Sequence, residues 1–152
     1  MTEVALISLV HELLEETRAG VLATTDQEGH PHMRWMTPVL MEEYPGVLYA
    51  LTCPSFPKAI QIESQPAVEW LIQSRLLDRV VHLKGTVRLV DNPSLKSQLI
   101  ERIGGRLQVL WKIHRDCSDL VAVETLLEEA NCFKPMEGIY EHVEFLRGRN
   151  AE

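Results

Sequence analysis

Two cations and three hydrogen-bonding side chains between positions 34 and 61 are the residues best suited to chemistry in this 152-residue chain. Arg34 stands mid-way along an extended stretch and Thr52 closes another. Ser55 opens the loop that follows, and Lys58 and Gln61 start a short helix. The first turn of a helix offers unpaired N–H groups and the positive end of its dipole, which favours an anion. A guanidinium and an ammonium beside hydroxyls add charge-assisted hydrogen bonds. Together these residue types suit a phosphate. On the residues alone a plainer reading stays open. In that reading Arg34 and Lys58 are surface cations, Ser55 caps the helix and Gln61 is exposed.

Other candidate groups are weaker. His30-Pro31-His32 puts two imidazoles on one strand face, but no third ligand is apparent, so no metal site is expected. Glu15-Glu16 and Glu128-Glu129 read as solvated ends of elements. Cys53 precedes Pro54, and its nearest cation in sequence is Lys58, a thin basis for a reactive thiol. His32 and His82 are the side chains suited to acid–base work near neutrality, although a structural role for each is the plainer reading. No GxxxxGK[ST], GxGxxG, CxxC or HExxH occurs.

The elements that must hold these groups follow from periodicity. Residues 4–17 carry Val4, Ile7, Leu9, Val10, Leu13 and Leu14 on one broad face, which predicts an amphipathic helix over 3–17 with Thr2 as N-cap. The period then becomes two. Strands are expected at 21–25, 30–41, 47–52, 66–73 and 78–90. A bent sixth follows over 120–127 and 131–134, and a closing strand lies at about 140–145. Asp26 to Gly29 reads as a turn. Asp91 or Asn92 caps a helix from Pro93 to about Ile103, and short helical pieces are expected at 58–64 and 107–113. If 30–41 and 47–52 pair as a hairpin, Arg34, Thr52, Ser55 and Lys58 converge at one end of the sheet. The predicted fold is mainly β with flanking helices, a six-stranded antiparallel barrel over residues 20–146 in one domain, 1–152.

Composition narrows the function. Fifteen Lys and Arg against 22 Asp and Glu give a formal net charge of −7, which argues against a nucleic-acid or anionic-membrane binder. Any anionic ligand must therefore be held by a few local cations. No apolar run is long enough to span a bilayer, and the N-terminal segment lacks the pattern of a secretory leader. Cys53, Cys117 and Cys132 are an odd number at wide spacings. Three free thiols in a cytoplasmic protein are expected.

The ordered set GVLATTDQEGHPHMRWM, then LYALT and KAIQI, then QPAVEW, resembles the pyridoxamine 5′-phosphate oxidase-like family of FMN-binding split barrels, especially its small general-stress-protein branch. The match runs well over residues 4–90 and loosely over the last third. The resemblance implies a split barrel that forms a homodimer, with FMN at the interface and a small-molecule substrate. It assigns Arg34 and Lys58 to the FMN phosphate, and Leu51 and Thr52 to the flavin and its phosphate. The strand at Trp35 and Met36 would run beside the ring system. Gln61 matches a family glutamine, and Ser55 stands in for the family's loop serine, one position displaced.

The departures are informative. Where the oxidase has a second strand lysine this chain has Val39, and where it has Ser-Arg-Lys this chain has Phe56-Pro57-Lys58. Its C-terminal substrate-phosphate pattern has no counterpart here. These losses argue against pyridoxamine phosphate oxidase activity itself. What remains is an FMN-dependent oxidoreductase of unknown substrate, using NAD(P)H or a deazaflavin as electron donor. A non-catalytic flavin-binding or stress-response protein, a haem or other tetrapyrrole binder on the same barrel, and a scaffold stay open as alternatives.

Overall fold

The computed structural model describes residues 1–54, 65–103 and 120–146. Helix α1 (Glu3–Thr17) is capped by Thr2, whose hydroxyl accepts the Ala5 N–H at 3.1 Å. It stops where Arg18 turns left-handed (φ 57) and donates its N–H to the Leu14 carbonyl at 2.8 Å. Leu6, Val10, Leu13 and Leu14 form its buried face, as the spacing of apolar residues requires.

The strands are β1 (Gly20–Thr25), β2 (Pro31–Met36), β3 (Val39–Leu40), β4 (Val47–Thr52), β5 (Ala67–Gln73), β6 (Val80–Val90), β7 (Val121–Lys134) and β8 (Ile139–Glu144). Helix α2 (Pro93–Ile103) lies between β6 and β7. Its cap is Asn92, whose side chain accepts the Leu95 N–H at 3.1 Å. All pairings are antiparallel, in the order β2-β1-β5-β6-β7-β4-β3, with β8 beside the second half of β7. The two ends of this path, β2 and β3, are consecutive in the chain. The sheet therefore curls until its edges meet across Thr37-Pro38, which makes the split barrel.

That junction corrects two expectations. Residues 30–41 are two strands, not one. Pro38 has no N–H to give to a ladder, and the chain changes partner there. β2 pairs with β1, placing Arg34 opposite Leu22, whereas only Val39 and Leu40 pair with β4. The expected hairpin between the Arg34 and Thr52 strands is thus reduced to two residues. Eight strands are described in place of six, because the second divides and the closing strand pairs fully with β7.

β4 is buried along its whole length because it serves two cores. Leu48 and Ala50 face the barrel interior with Leu22, Met36, Trp70 and the buried face of α1. Val47, Tyr49 and Leu51 face the other way, against Leu99 and Ile103 of α2. Each such fully buried aliphatic side chain stabilises the fold by roughly 1.5–3 kcal/mol relative to exposure. The register between β6 and β7 slips between Lys84 and Gly85, leaving Glu128 unpaired in the ladder. Gly85 is required there, since a Cβ would run into the Leu126 carbonyl.

Candidate functional site

Residues directly opposite in an antiparallel pair point to the same face. Arg34 opposes Leu22, a fully buried interior residue, so its side chain enters the barrel between β1 and its own strand. Its Nη1 donates to the Leu22 carbonyl at 3.3 Å. Partial burial lowers the guanidinium pKa, the sign of a cation short of solvent. Met36, two residues on, lies in the same interior cluster.

Thr52 continues the interior alternation of Leu48 and Ala50. It is fully buried, and its Oγ1 is the buried side-chain polar atom without a hydrogen-bond partner among the described residues. Most buried hydroxyls are paired, and an orphan costs about 1–3 kcal/mol. Arg34 on β2 and Thr52 on β4 thus both face the barrel interior. A half-buried cation and an unpaired buried hydroxyl fit an anionic group with hydrogen-bonding oxygens, such as the phosphate of FMN.

The other predicted site residues fall elsewhere. Leu51 points away from the interior, into the α2 core. Trp35 is 51% exposed on the outer face of β2, and its neighbour Met33 is 75% exposed. Ser55, Lys58 and Gln61 lie outside the described residues, as do the expected helical pieces at 58–64 and 107–113.

His32 and His82 are occupied by carboxylates. His32 Nε2 lies 2.9 Å from Asp26 Oδ2, and the Asp26 Oδ1 accepts the N–H of Glu28 and of His30, each at 2.9 Å. These contacts hold the Asp26 carboxyl down at about 2, with the His32 bond the largest cause. His82 Nδ1 lies 3.3 Å from Glu69. Among the described residues no group of three or more His, Cys, Asp or Glu is placed to hold a metal ion.

The cysteines differ from expectation. Cys132 is a free thiol whose burial raises its pKa, but Cys53 is disulfide-bonded, next to Thr52 at the end of β4. An odd cysteine count does not exclude one bridge and one free thiol. Cys117 lies outside the described residues.

A cavity of about 750 Å³ opens away from Arg34 and Thr52, between α1, residues 37–43 and α2. Glu15, Glu42, Glu43 and Glu101 line it against Arg18 and Arg102. Among the described lining residues that balance is negative and does not suit a phosphate. Its lining comes from three separated segments, so no local motif in the sequence announced it.

A family model described as pyridoxamine 5′-phosphate oxidase matches residues 8–131. The chain belongs to the pyridoxamine 5′-phosphate oxidase family. Solved structures agree on the fold of this family member. General stress protein 26 of Bacillus anthracis str. Sterne is 19% identical with a TM-score of 0.70, over 92% of this chain and 98% of that one. An F420 reductase is 21% identical with a TM-score of 0.60, over 79% and 94% of the two chains. A heme binding protein from Mycobacterium smegmatis is 16% identical with a TM-score of 0.70, over 91% of this chain and 57% of that one. No curated protein matches. Among the described residues no helix is long and apolar enough to cross a membrane.

Proposed function

We propose that this member of the pyridoxamine 5′-phosphate oxidase family is a single-domain FMN-binding oxidoreductase that acts on a small molecule as a homodimer. The observation that carries this reading is the buried, unpartnered Thr52 hydroxyl on the same interior face as the half-buried Arg34. In this reading Arg34 and Lys58 hold the phosphate. Thr52 and Ser55 bond to the phosphate and flavin oxygens, and Gln61 completes the loop side. The strand at Trp35 and Met36 flanks the ring. FMN, when bound, would supply hydride or electron transfer. This chain's residues bind it, orient it and keep water out. No side chain is assigned as acid or base, since His32 and His82 are each held by a carboxylate.

Pyridoxamine phosphate oxidase activity itself is not proposed. Val39 of β3, where that enzyme carries a second lysine, pairs with Tyr49 of β4 and brings no charge. The dimer is supported by the outer face of β2, where Met33 and Trp35 leave an apolar surface that a second copy would cover.

The test is addition of FMN to purified protein, followed by gel filtration with light scattering and absorption detection. Flavin absorption co-eluting with a mass of twice 17.3 kDa is expected. Failure to retain FMN at micromolar concentration would overturn the reading. A Soret band in the purified protein would favour a tetrapyrrole on the same barrel.

A further inference from the structure

The cavity between α1, residues 37–43 and α2 is not part of the proposed flavin site. Its lining contains none of Arg34, Trp35, Met36, Leu51 or Thr52. Its volume of about 750 Å³ lies in the range of small-molecule pockets. The floor is apolar, made by Leu14, Leu40 and Ile103, all nearly inaccessible.

Thr37 lines the same space. It is 4% exposed, and its hydroxyl has no hydrogen-bond partner among the described residues. Its position follows from the barrel's closure. It sits at the turn before Pro38, where the chain has left β2 and not yet joined β3, so no ladder claims it.

Charge selects the ligand. Glu42, Glu43 and Glu101 are exposed at the rim, and none has an ion-pair partner among the described residues. Of the two lining arginines, Arg102 already donates Nη2 to the Leu40 carbonyl at 2.9 Å. A concave site with low-dielectric walls and a surplus of carboxylates raises the local concentration of cations. An apolar floor asks for a hydrocarbon body, and Thr37 offers it one polar contact.

We propose that this cleft binds a small organic cation, an amine carried on an apolar or aromatic body, with the ammonium among Glu42, Glu43 and Glu101 and the body over Leu14, Leu40 and Ile103. The site is separate from the flavin pocket, so its occupancy does not depend on FMN.

Two probes of the same ring and opposite charge test it: tryptamine and indole-3-propionate. Calorimetric titration of the full chain, with and without FMN, should give saturable binding of tryptamine and none of indole-3-propionate. The Glu42→Gln/Glu43→Gln double variant, altered only at exposed positions, should bind tryptamine about tenfold more weakly. Thr37→Val should weaken it by about threefold while leaving the melting temperature unchanged or raised. Equal binding of the two probes, no saturation by tryptamine at millimolar concentration, or an unchanged affinity in the double variant would each overturn the proposal.

Discussion

Two threonines with the same burial play opposite parts in the barrel interior. Thr125, in the middle of the sheet, and Thr52, at the end of β4, are both fully inaccessible, and both project to the interior face. The Thr125 hydroxyl accepts the Trp70 indole N–H at 3.0 Å, tying β5 to β7 across β6. The Thr52 hydroxyl has no such partner. At the centre each polar group is answered by a neighbouring strand. At the end of β4, beyond the two residues that pair with β3, no described residue answers the hydroxyl. Fully buried polarity is structural at the centre, and at the edge it fits the binding role proposed for Thr52.

Arg34 gives the largest test of that contrast. If the edge pair holds a phosphate, Arg34→Ala removes charge-assisted hydrogen bonds from a partly buried site. FMN affinity should fall by about 2 to 4 kcal/mol, or roughly 30- to 1000-fold. Riboflavin, which lacks the phosphate, should lose much less. Equal losses for both ligands in fluorescence titrations would mean general distortion, and no loss for either would make Arg34 a surface cation.

The two threonines come next, and the same substitution should separate them. Thr125→Val leaves the Trp70 N–H unpaired in the core and should destabilise the fold by about 1–3 kcal/mol in urea unfolding, without changing FMN affinity. Thr52→Val removes an orphan hydroxyl and replaces it with a methyl of similar size. Stability should hold or rise by about 1 kcal/mol, while FMN affinity falls by about 1 kcal/mol. If Thr52→Val destabilised the chain as Thr125→Val does, the distinction between centre and edge would fail.

Much of this arrangement was legible in the sequence, and the boundary of what was legible is physical. The helix at 3–17 with its Thr2 cap, the Asp26–Gly29 turn and a cap at Asp91 or Asn92 are local, and local spacing predicts them. The division of residues 30–41 was not legible, because it depends on which edge each half meets when the sheet curls. Pro38 marked the place without saying that β2 and β3 take different partners. The unpaired state of Thr52 likewise follows from an absent neighbour, and no motif spells an absence. Cys53 shows the same limit, since its bond is a matter of distance and not of count.

The smallest effect concerns a third polar group at the edge, Asp26 at the tip of the β1–β2 hairpin. It separates an orphan made by the split from general looseness of the edge, because Asp26 is fully answered by its own tip. His32 holds one carboxylate oxygen and the N–H groups of Glu28 and His30 hold the other. These bonds favour the ionised form and keep its pKa at about 2 in the folded chain, below the unfolded value of about 3.9. A depressed carboxylate contributes stability above its unfolded pKa and loses it as pH falls through the folded one. The contribution should therefore be complete near pH 5 and fade between about pH 4 and pH 2. Asp26→Asn keeps an oxygen that can accept from the backbone but removes the charge. The gap in urea midpoint between wild type and variant should be small at pH 5 and shrink towards zero by about pH 2. FMN affinity at neutral pH should be unchanged. A gap that stays constant on acidification would mean that the tip is not held by the Asp26 charge. The free hydroxyl of Thr52 would then be one loose edge contact among several, and no longer a mark of the site.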